Sequence, residues 1–319
     1  MERKSALVLG DVNVDLVIPL GGQGAALTQP REDTLQLHGG GTGGNTAAAL
    51  ARLGVPVGFI GTIGNDAYGR WAVEDLQAEG VDTRRLLSVD QGFTSIVMAV
   101  IHTDGEREIF VWPDTGGAHT RLSPDLIQPD LFQDVSWLHT TGLCLREEPV
   151  RNAQLKAMRL AGEAGVRVSL DLNLRLESWG MDPLLRDVFT QAISLSDVVF
   201  GSGEDEILPF TGLESIREAA ESLSDGKRIV IARLGAEGAL GVSPDETITC
   251  PAFGLDVVDT LGAGDAFNGG FISASLEGRD LRECIRWGSG TAGLKIGQAG
   301  ARGLPSRSDL IKLLDGSVA

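Results

Sequence analysis

Short apolar and β-branched runs alternate with segments of helical periodicity along most of the chain. The predicted strands are residues 5–10, 57–60, 135–139, 166–171, 197–200 and 228–233. The predicted helices are residues 45–53, 67–79, 149–164, 216–223, 264–276 and 281–296. Such alternation is typical of an α/β fold in which a mostly parallel sheet is covered by helices on both faces.

Two regions depart from this pattern, because residues 13–38 and 94–112 read as extended segments with period-two alternation. A Thr-Asp-Gly-Glu turn at residues 103–106 divides the second region into a hairpin. We expect the two regions to form a small antiparallel sheet that could act as a lid. The alternative is an antiparallel extension of the main sheet.

Composition excludes several classes of protein. A hydrophobic content of 42% over 319 residues is enough for a full core, and the net charge of −17 opposes binding to nucleic acid or to anionic membranes. No apolar run approaches the roughly 18 residues of a membrane-spanning helix. Three widely spaced cysteines without a C-x-x-C motif argue against disulfides and structural zinc. We therefore predict a cytoplasmic protein.

A glycine cluster at residues 39–44 precedes a helix of small residues. It satisfies G-x-G-x-x-G, and Asp66 follows at a distance compatible with a dinucleotide site. However, the preceding residues 32–37 are polar and alternating, unlike a buried first strand. A second hypothesis is that the backbone approaches a small polar ligand, with Asn45 binding its hydroxyl groups. A third is a flexible turn in which Asn45 caps the helix.

The segment 256–270 carries the most informative pattern. Gly262, Ala263 and Gly264 lead into a predicted helix, whose free N–H groups would form an anion site. Asp265 lies in the first turn, where the helix dipole is expected to keep it ionised and able to accept a proton from a hydroxyl group. An anion hole beside a base is what phosphoryl transfer to an alcohol requires. The alternative is that Asp265 only caps the helix.

At this point the chain resembles the phosphofructokinase-B, or ribokinase-like, carbohydrate kinases. GGGTGGNTAAALARLG at 39–54 and GFIGTIGNDAYG at 58–69 resemble the N-terminal signature of that family. DTLGAGDAFNGGF at 259–271 resembles its C-terminal signature, and residues 235–240 and 300–305 are similar to two further family segments. The resemblance covers nearly the whole chain.

The resemblance implies a single Rossmann-like α/β domain over residues 1–319, with a β-sheet lid formed within 13–38 and 94–112. It also implies ATP-dependent transfer of the γ-phosphoryl group to a hydroxymethyl group of a sugar, with Asp265 as the base. The anion hole would be Gly262, Ala263 and Gly264. The residues implied for the acceptor are Asn13, Asp15, Gly41 and Asn45. Those implied for the nucleotide are Gly235, Gly238, Thr260, Gly262 and Gly264.

Two metal sites are also implied by the resemblance. The family carries an Asn-x-x-Glu element that organises Mg²⁺ through water, and here Gly203 replaces the Asn while Glu206 is kept. The alternative for Glu206 is a solvated helix start. The aspartate matching Asp259 is linked in many members to a monovalent cation, which would be K⁺. The alternative for Asp259 is a buried turn carboxylate.

The acceptor remains open at this point. Asp171, Asn173 and Arg175, followed by Trp179, resemble an element of the fructokinase and 2-keto-3-deoxygluconate kinase branches. Arg175 could bind a sugar carboxylate or the nucleotide phosphates, or could simply pair with Asp171. Fructose, 2-keto-3-deoxygluconate and ribose-like sugars are therefore candidates.

Rival hypotheses are a nucleoside kinase of the same fold, a catalytically weak ligand sensor and a nucleotide-linked dehydrogenase. An exposed edge of the lid sheet could pair with a second copy, so a homodimer is expected.

Overall fold

The computed structural model describes residues 4–19, 36–101 and 107–316. The predicted turn at 103–106 and the middle of the predicted 13–38 segment lie outside these ranges. The strands are β1 (Ala6–Leu9), β2 (Asn13–Pro19), β3 (Gln36–Gly40), β4 (Val57–Gly64), β5 (Asp82–Val89), β6 (Ile96–Ile101), β7 (Arg107–Trp112), β8 (Trp137–Thr141), β9 (Arg167–Asp171), β10 (Val198–Ser202), β11 (Ile229–Arg233), β12 (Ala239–Val242) and β13 (Thr247–Cys250).

The α-helices of the same residues are α1 (Thr42–Arg52), α2 (Ala67–Ala78), α3 (Val150–Glu163), α4 (Leu176–Trp179), α5 (Pro183–Ser194), α6 (Leu208–Thr211), α7 (Ile216–Ser224), α8 (Ala263–Leu276), α9 (Leu281–Ile296) and α10 (Arg307–Leu314). A π-helical turn spans Gly203–Ile207. Within the described ranges, no helix has both the length and the apolar character needed to cross a membrane.

A nine-stranded sheet forms the centre of the molecule, in the order β13-β12-β11-β10-β9-β8-β1-β4-β5. The strands from β11 to β5 pair in parallel, whereas β12 and β13 add an antiparallel edge. The predicted mostly parallel α/β fold is confirmed. Because parallel strands end on the same side, the carboxyl ends of β1, β9, β10 and β11 meet along one edge of the sheet.

A separate four-stranded sheet has the order β3-β2-β6-β7. The prediction of a small second sheet is confirmed, and the alternative of an extension to the main sheet is wrong. The prediction that this sheet is antiparallel is wrong for its central pair, because β2 and β6 run parallel. Between β2 and β6 the chain forms β3 of the same sheet and then α1, β4, α2 and β5 before it returns as β6.

Each face of the main sheet packs against its own apolar layer. Along β1, Ala6 and Val8 enter one layer, while Leu7 and Leu9 enter the other. This alternation buries both faces of the strand, as expected for a parallel sheet between helices. Helices α1 and α8 cross closely, because a Cβ added to Gly269 would lie 2.5 Å from the Cβ of Ala49. The two helices that follow the glycine cluster and the Gly-Ala-Gly segment are therefore held in direct contact.

Candidate active site

Asn45 and Asp265 meet although they lie 220 residues apart in the chain. The Nδ2 of Asn45 donates a hydrogen bond of 2.8 Å to the Oδ2 of Asp265, and both side chains are buried. Asn45 projects from the first part of α1, and Asp265 from the first turn of α8. The two helices therefore present their N-terminal ends to one site.

The start of α1 is fixed by Asp11, which follows β1. Its carboxylate accepts hydrogen bonds from the backbone N–H groups of Thr42 and Gly43 and from the hydroxyl of Thr42, at 3.1, 3.3 and 2.8 Å. Gly41 has a φ of 86°, and an added Cβ would lie 2.5 Å from the carbonyl oxygen of Asp11. The helix thus begins at Thr42, three residues before the predicted start, so the prediction of Asn45 as a helix cap is wrong.

Asp265 is buried, and its surroundings favour the protonated form of the carboxyl group. Burial raises its pKa to about 8, even though the hydrogen bond from Asn45 lowers it, and the nearby carboxylates of Asp171 and Asp11 add to the increase. The direction of this pKa shift is opposite to the one expected from the helix dipole. Desolvation of a buried carboxylate outweighs the field of one helix end.

An unused acceptor points to where a ligand hydroxyl would bind. The Oδ1 of Asn45 is buried and has no hydrogen-bond partner. At the start of β2, the Nδ2 of Asn13 donates to the Oδ1 of Asp15 at 2.6 Å, and burial raises the pKa of Asp15 to about 6. Gly40 leaves room for this pair, because an added Cβ would lie 2.3 Å from Asp15. A buried polar group without a partner is costly, so these side chains are suited to a hydroxylated ligand.

Arg302 was not predicted, and it supports the glycine cluster. Its guanidinium donates to the carbonyl oxygen of Gly44, and its Nε lies 3.4 Å from the Oδ2 of Asp75. A Cβ added to Gly39 would lie 2.7 Å from the Arg302 Nε. Packing against this buried arginine therefore explains part of the glycine cluster. The sequence had suggested that these glycines make room for a ligand.

Arg233, at the end of β11, connects several elements beneath the site and was also not predicted. It binds Asp171 through two hydrogen bonds of 2.9 and 2.8 Å. Its Nη1 also donates to the Oδ1 of Asn268 at 3.0 Å and to the carbonyl oxygen of Gly264 at 3.3 Å. Burial alone would raise the pKa of Asp171, but the charge and hydrogen bonds of Arg233 leave it lowered.

The hypothesis that Arg175 pairs with Asp171 is wrong, since Arg233 takes that position. Arg175 is exposed and has a left-handed backbone conformation with a φ of 49°. It follows Asn173, whose φ is 40° and whose Nδ2 donates to the hydroxyl of Thr141 at 3.4 Å. The loop at the carboxyl end of β9 thus leaves the Arg175 guanidinium accessible to a ligand.

Glu206 is buried, and both of its carboxylate oxygens accept backbone N–H groups. Oε1 accepts from Leu174 at 2.8 Å and Oε2 from Ser202 at 2.7 Å, while Arg233 lies 3.6 Å away. Burial and the Asp171 charge raise the pKa of Glu206. Among the described residues there is no group of three or more His, Cys, Asp or Glu side chains able to hold a metal. Such a site fits Mg²⁺ only if the ion keeps most of its water ligands and is coordinated mainly by phosphate oxygens.

Gly203, at the position of the Asn in the Asn-x-x-Glu element, is closely packed. A Cβ added to Gly203 would lie 2.9 Å from Leu234 and 3.0 Å from Ile216. A larger side chain at this position would therefore displace its apolar neighbours.

The N-terminal end of α8 has the small residues predicted for an anion hole. Gly262 caps the helix with a φ of 75°, and the N–H of Ala263 donates to the carbonyl oxygen of Thr260 at 3.1 Å. A Cβ added to Gly264 would lie 3.1 Å from the Arg233 guanidinium. Gly264 is therefore small for packing as well as for access. The helix end is half-exposed, and the N–H groups of a first helical turn have no acceptor within the helix, although that of Ala263 is used by Thr260.

The residues predicted to lie beside a nucleotide form two separate turns. Gly235 and Gly238 join β11 to β12, with φ values of 57° and 102°. A Cβ added to Gly238 would lie 2.0 Å from the carbonyl oxygen of Cys250, whereas the space beside Gly235 is open. Thr260 is exposed next to the start of α8. The open turn at Gly235 follows β11, and the start of α8 comes after β13. The carboxyl ends of both strands face the site.

The surroundings of Asp259 do not fit the predicted monovalent ion. Its Oδ1 and Oδ2 accept the backbone N–H groups of Leu261 and Gly300, at 3.0 and 2.9 Å. Its carbonyl oxygen accepts the ammonium of Lys295 at 2.8 Å. A protein cation is therefore bonded to the backbone oxygen of this residue.

The chain is similar in sequence to known kinases. The profile described as "pfkB family carbohydrate kinase" matches residues 3–307. Aminoimidazole riboside kinase of Salmonella typhimurium is 36% identical over 267 residues, covering 83% of this chain and 79% of that protein. Fructokinase of Vibrio alginolyticus is 30% identical over 316 residues, covering 96% and 98%.

The solved structures include a fructokinase from Vibrio cholerae O395 in a form with bound fructose, ADP and calcium ion. It matches this chain with a TM-score of 0.84 and 30% identity, covering 98% of this chain and 100% of that one. The similarity therefore extends across both sheets.

Proposed function

Because this chain belongs to the pfkB family of carbohydrate kinases and is a phosphotransferase, we propose that it transfers the γ-phosphoryl group of ATP to a hydroxymethyl group of a small sugar or sugar acid. The observation that carries the proposal is the hydrogen bond between Asn45 and Asp265 at the start of α8. It joins an acceptor-binding side chain to a base beside N–H groups that can hold a phosphoryl group.

In this mechanism, Asp265 takes the proton of the acceptor hydroxyl. The oxygen of that hydroxyl forms a bond to the γ-phosphorus at the same time. The bond from that phosphorus to the β–γ bridging oxygen breaks, and ADP leaves. Backbone N–H groups at the start of α8 hold the migrating group, other than that of Ala263, which donates to Thr260. Asn13, Asp15 and Asn45 orient the acceptor through its hydroxyl groups.

For the nucleotide, we propose that its phosphates lie at the start of α8 and its remaining part beside Gly235, Gly238 and Thr260. Mg²⁺ would neutralise charge on the phosphates, with Glu206 acting on it through water. The support is that Glu206 lies at the carboxyl ends of β9 and β10, bonded to Leu174 and Ser202. The role of Gly41 in acceptor binding rests on its place before α1.

The exposed guanidinium of Arg175 supports an acceptor with a carboxylate or with several hydroxyl groups, such as 2-keto-3-deoxygluconate, fructose or a ribose-like sugar. A nucleoside acceptor is the second candidate, since an aminoimidazole riboside kinase is 36% identical over most of the chain. A charge-neutralising Arg175→Gln variant separates a sugar acid from the neutral acceptors, both sugars and nucleosides, because only a sugar acid loses its counter-ion.

The test is release of ADP measured with each of fructose, ribose, 2-keto-3-deoxygluconate and a nucleoside, with Mg²⁺ present. We expect one acceptor to raise ADP release at least about 100-fold over the rate with water alone, as positioning effects of this kind do. Binding of ATP without ADP release from any hydroxylated acceptor would instead favour a ligand sensor and contradict the proposal.

We propose that two copies of the chain associate through the face of the small sheet that carries Val111, which the register places on the same side as Val97 and Asp15. On its edge strand β7, Ile109 is 65% exposed and Val111 is 48% exposed, and both side chains lie on the same face. On the opposite face, Trp112 contacts Phe93 of the same chain. An apolar face on an edge strand favours association with another copy.

Replacing Ile109 with Glu and Val111 with Lys is expected to convert a dimer into a monomer, because burying these charges opposes association. The measurement is molar mass by light scattering during size exclusion, with the single chain at 33.6 kDa. A matched control is Leu184→Lys on α5, which changes an equally exposed leucine away from this sheet. A monomeric parent protein would contradict the proposal.

The three cysteines, Cys144, Cys250 and Cys284, are buried free thiols. We propose that the protein works in a reducing cytoplasm, where such thiols persist.

A further inference from the structure

Lys295 is a fully buried lysine in the last turn of α9. Lysine is among the residues least often buried completely, and it is normally paired when it is. Its Nζ donates a hydrogen bond of 2.8 Å to the backbone carbonyl oxygen of Asp259. The side chain therefore brings a positive charge to the interior at the start of the C-terminal signature.

The ammonium lies under the turn that leads into α8. The N–H groups of Val258 and Asp259 donate to the carbonyl oxygen of Ile296, next to Lys295, at 2.7 and 3.0 Å. The Asp259 carboxylate holds the N–H groups of Leu261 and Gly300. Lys295 is thus one of the contacts that set the shape of the turn from Asp259 to Gly262, which delivers the N-terminal end of α8 to the site.

Two carboxylates favour the charged form of Lys295. Burial lowers the pKa of Lys295, but the negative charges of Asp259 and Asp265 oppose that shift. Backbone carbonyl oxygens are also the groups that replace the hydration shell of K⁺ in proteins. An ammonium on a flexible stem is a compact point charge that can bind the same kind of oxygen.

We propose that the Lys295 ammonium serves as a tethered monovalent cation for the Asp259–Gly262 turn, so that this kinase needs no K⁺. This inference rests on the proposed function only for its activity readout. The positive charge orders the turn and lies close to the phosphoryl-binding helix end, which are the two effects that a bound monovalent ion would have there.

The direct test is a K⁺ titration of the unmodified protein at a constant ionic strength of about 0.1 M, with tetramethylammonium as the replacing ion. We expect the ATP-dependent rate to change by less than about twofold across the series, because the cation is part of the chain. ATP affinity, measured by calorimetry, should be equally insensitive. Activation by K⁺ of about tenfold or more would overturn the inference.

Two variants separate charge from volume. Lys295→Ala removes both, and we expect the rate without K⁺ to fall at least about tenfold and to be restored by K⁺ or methylammonium. Lys295→Met keeps most of the volume without the charge, so the same loss should not be restored. The control is Lys312→Met on the surface of α10, which should behave like the unmodified protein. A Lys295→Met protein that is folded by circular dichroism and fully active would also contradict the inference.

The ATP-binding arm keeps the two proposals distinguishable. If none of the acceptors is phosphorylated while ATP affinity is independent of K⁺ and is lowered in Lys295→Met, the proposed acceptor class fails and the inference about Lys295 stands. If phosphorylation occurs but requires K⁺, the proposed acceptor class stands and the inference about Lys295 fails.

Discussion

Asp265→Asn is expected to lower kcat by about 10²–10⁴-fold, because it removes the group that takes the proton from the acceptor hydroxyl. Asparagine has nearly the same shape, and its Oδ1 can still accept the hydrogen bond from Asn45. ATP binding should therefore change little. The measurement is steady-state ADP release alongside ATP affinity by calorimetry. A kcat within about threefold of the unmodified enzyme would reject Asp265 as the base.

The pH dependence provides a control for this variant. With a pKa of about 8, Asp265 is mostly protonated below that pH, so the rate of the unmodified enzyme should rise about tenfold per pH unit and level off above pH 8. The residual rate of Asp265→Asn should lack this rise. A parallel slope in both proteins would show that another group controls the profile.

The stability of the unmodified protein should fall with rising pH over the range in which its activity rises. The pKa of Asp265 rises from an ordinary 3.8 to about 8 on folding, so the folded protein holds this proton more tightly than the unfolded chain. That contribution is present at low pH and is lost as the pH rises from about 4 to about 8. We therefore expect Asp265→Asn to unfold at a higher temperature than the unmodified protein at pH 8. Loss of activity then cannot be ascribed to unfolding.

Arg233→Met is expected to lower the free energy of unfolding by about 3–5 kcal/mol, because it leaves the buried Asp171 carboxylate without its cation. Glu206, at 3.6 Å from the same guanidinium, would lose a second favourable interaction. The measurement is urea unfolding followed by fluorescence or circular dichroism. A change below about 1 kcal/mol would contradict the role given to this arginine.

Two further variants identify the cause. Arg233→Lys keeps the charge but not the paired hydrogen bonds, so its loss should be smaller. Combining Arg233→Met with Asp171→Asn removes the uncompensated charge, and the double variant should be more stable than Arg233→Met alone. A double variant whose loss equals the sum of the two single losses would show that the residues do not interact.

The sequence predicted the fold well where apolar periodicity is long and uninterrupted. The helix predicted over residues 281–296 matches α9 at both ends, because Asp280 caps its start and Gly297 follows its last residue. The pattern missed β5, an edge strand that carries Arg84 and Arg85 and is largely exposed. Edge strands with charged side chains lack the apolar run that identifies a buried strand. Helix α5 and the short strands β12 and β13 were also not predicted.

The site could be predicted only where a local motif carries it. Asp265 and Asn45 belong to compact signatures, so their proximity follows once the fold is known. Arg233 and Arg302 stand among unremarkable neighbours in the sequence, and only tertiary structure places them beneath the glycine turns. The charge state of Asp265 also depends on burial, which no pattern of neighbouring residues reports.

The close crossing of α1 with α8 has a consequence for synthesis of the chain. Helix α1 is synthesised well before α8, so the Ala49 surface of α1 lacks its contact with Gly269 until α8 has been made. Nascent chains would expose this small-residue face for most of translation and bind chaperones there. The pairing of Asn45 with Asp265 likewise cannot form until α8 has been synthesised.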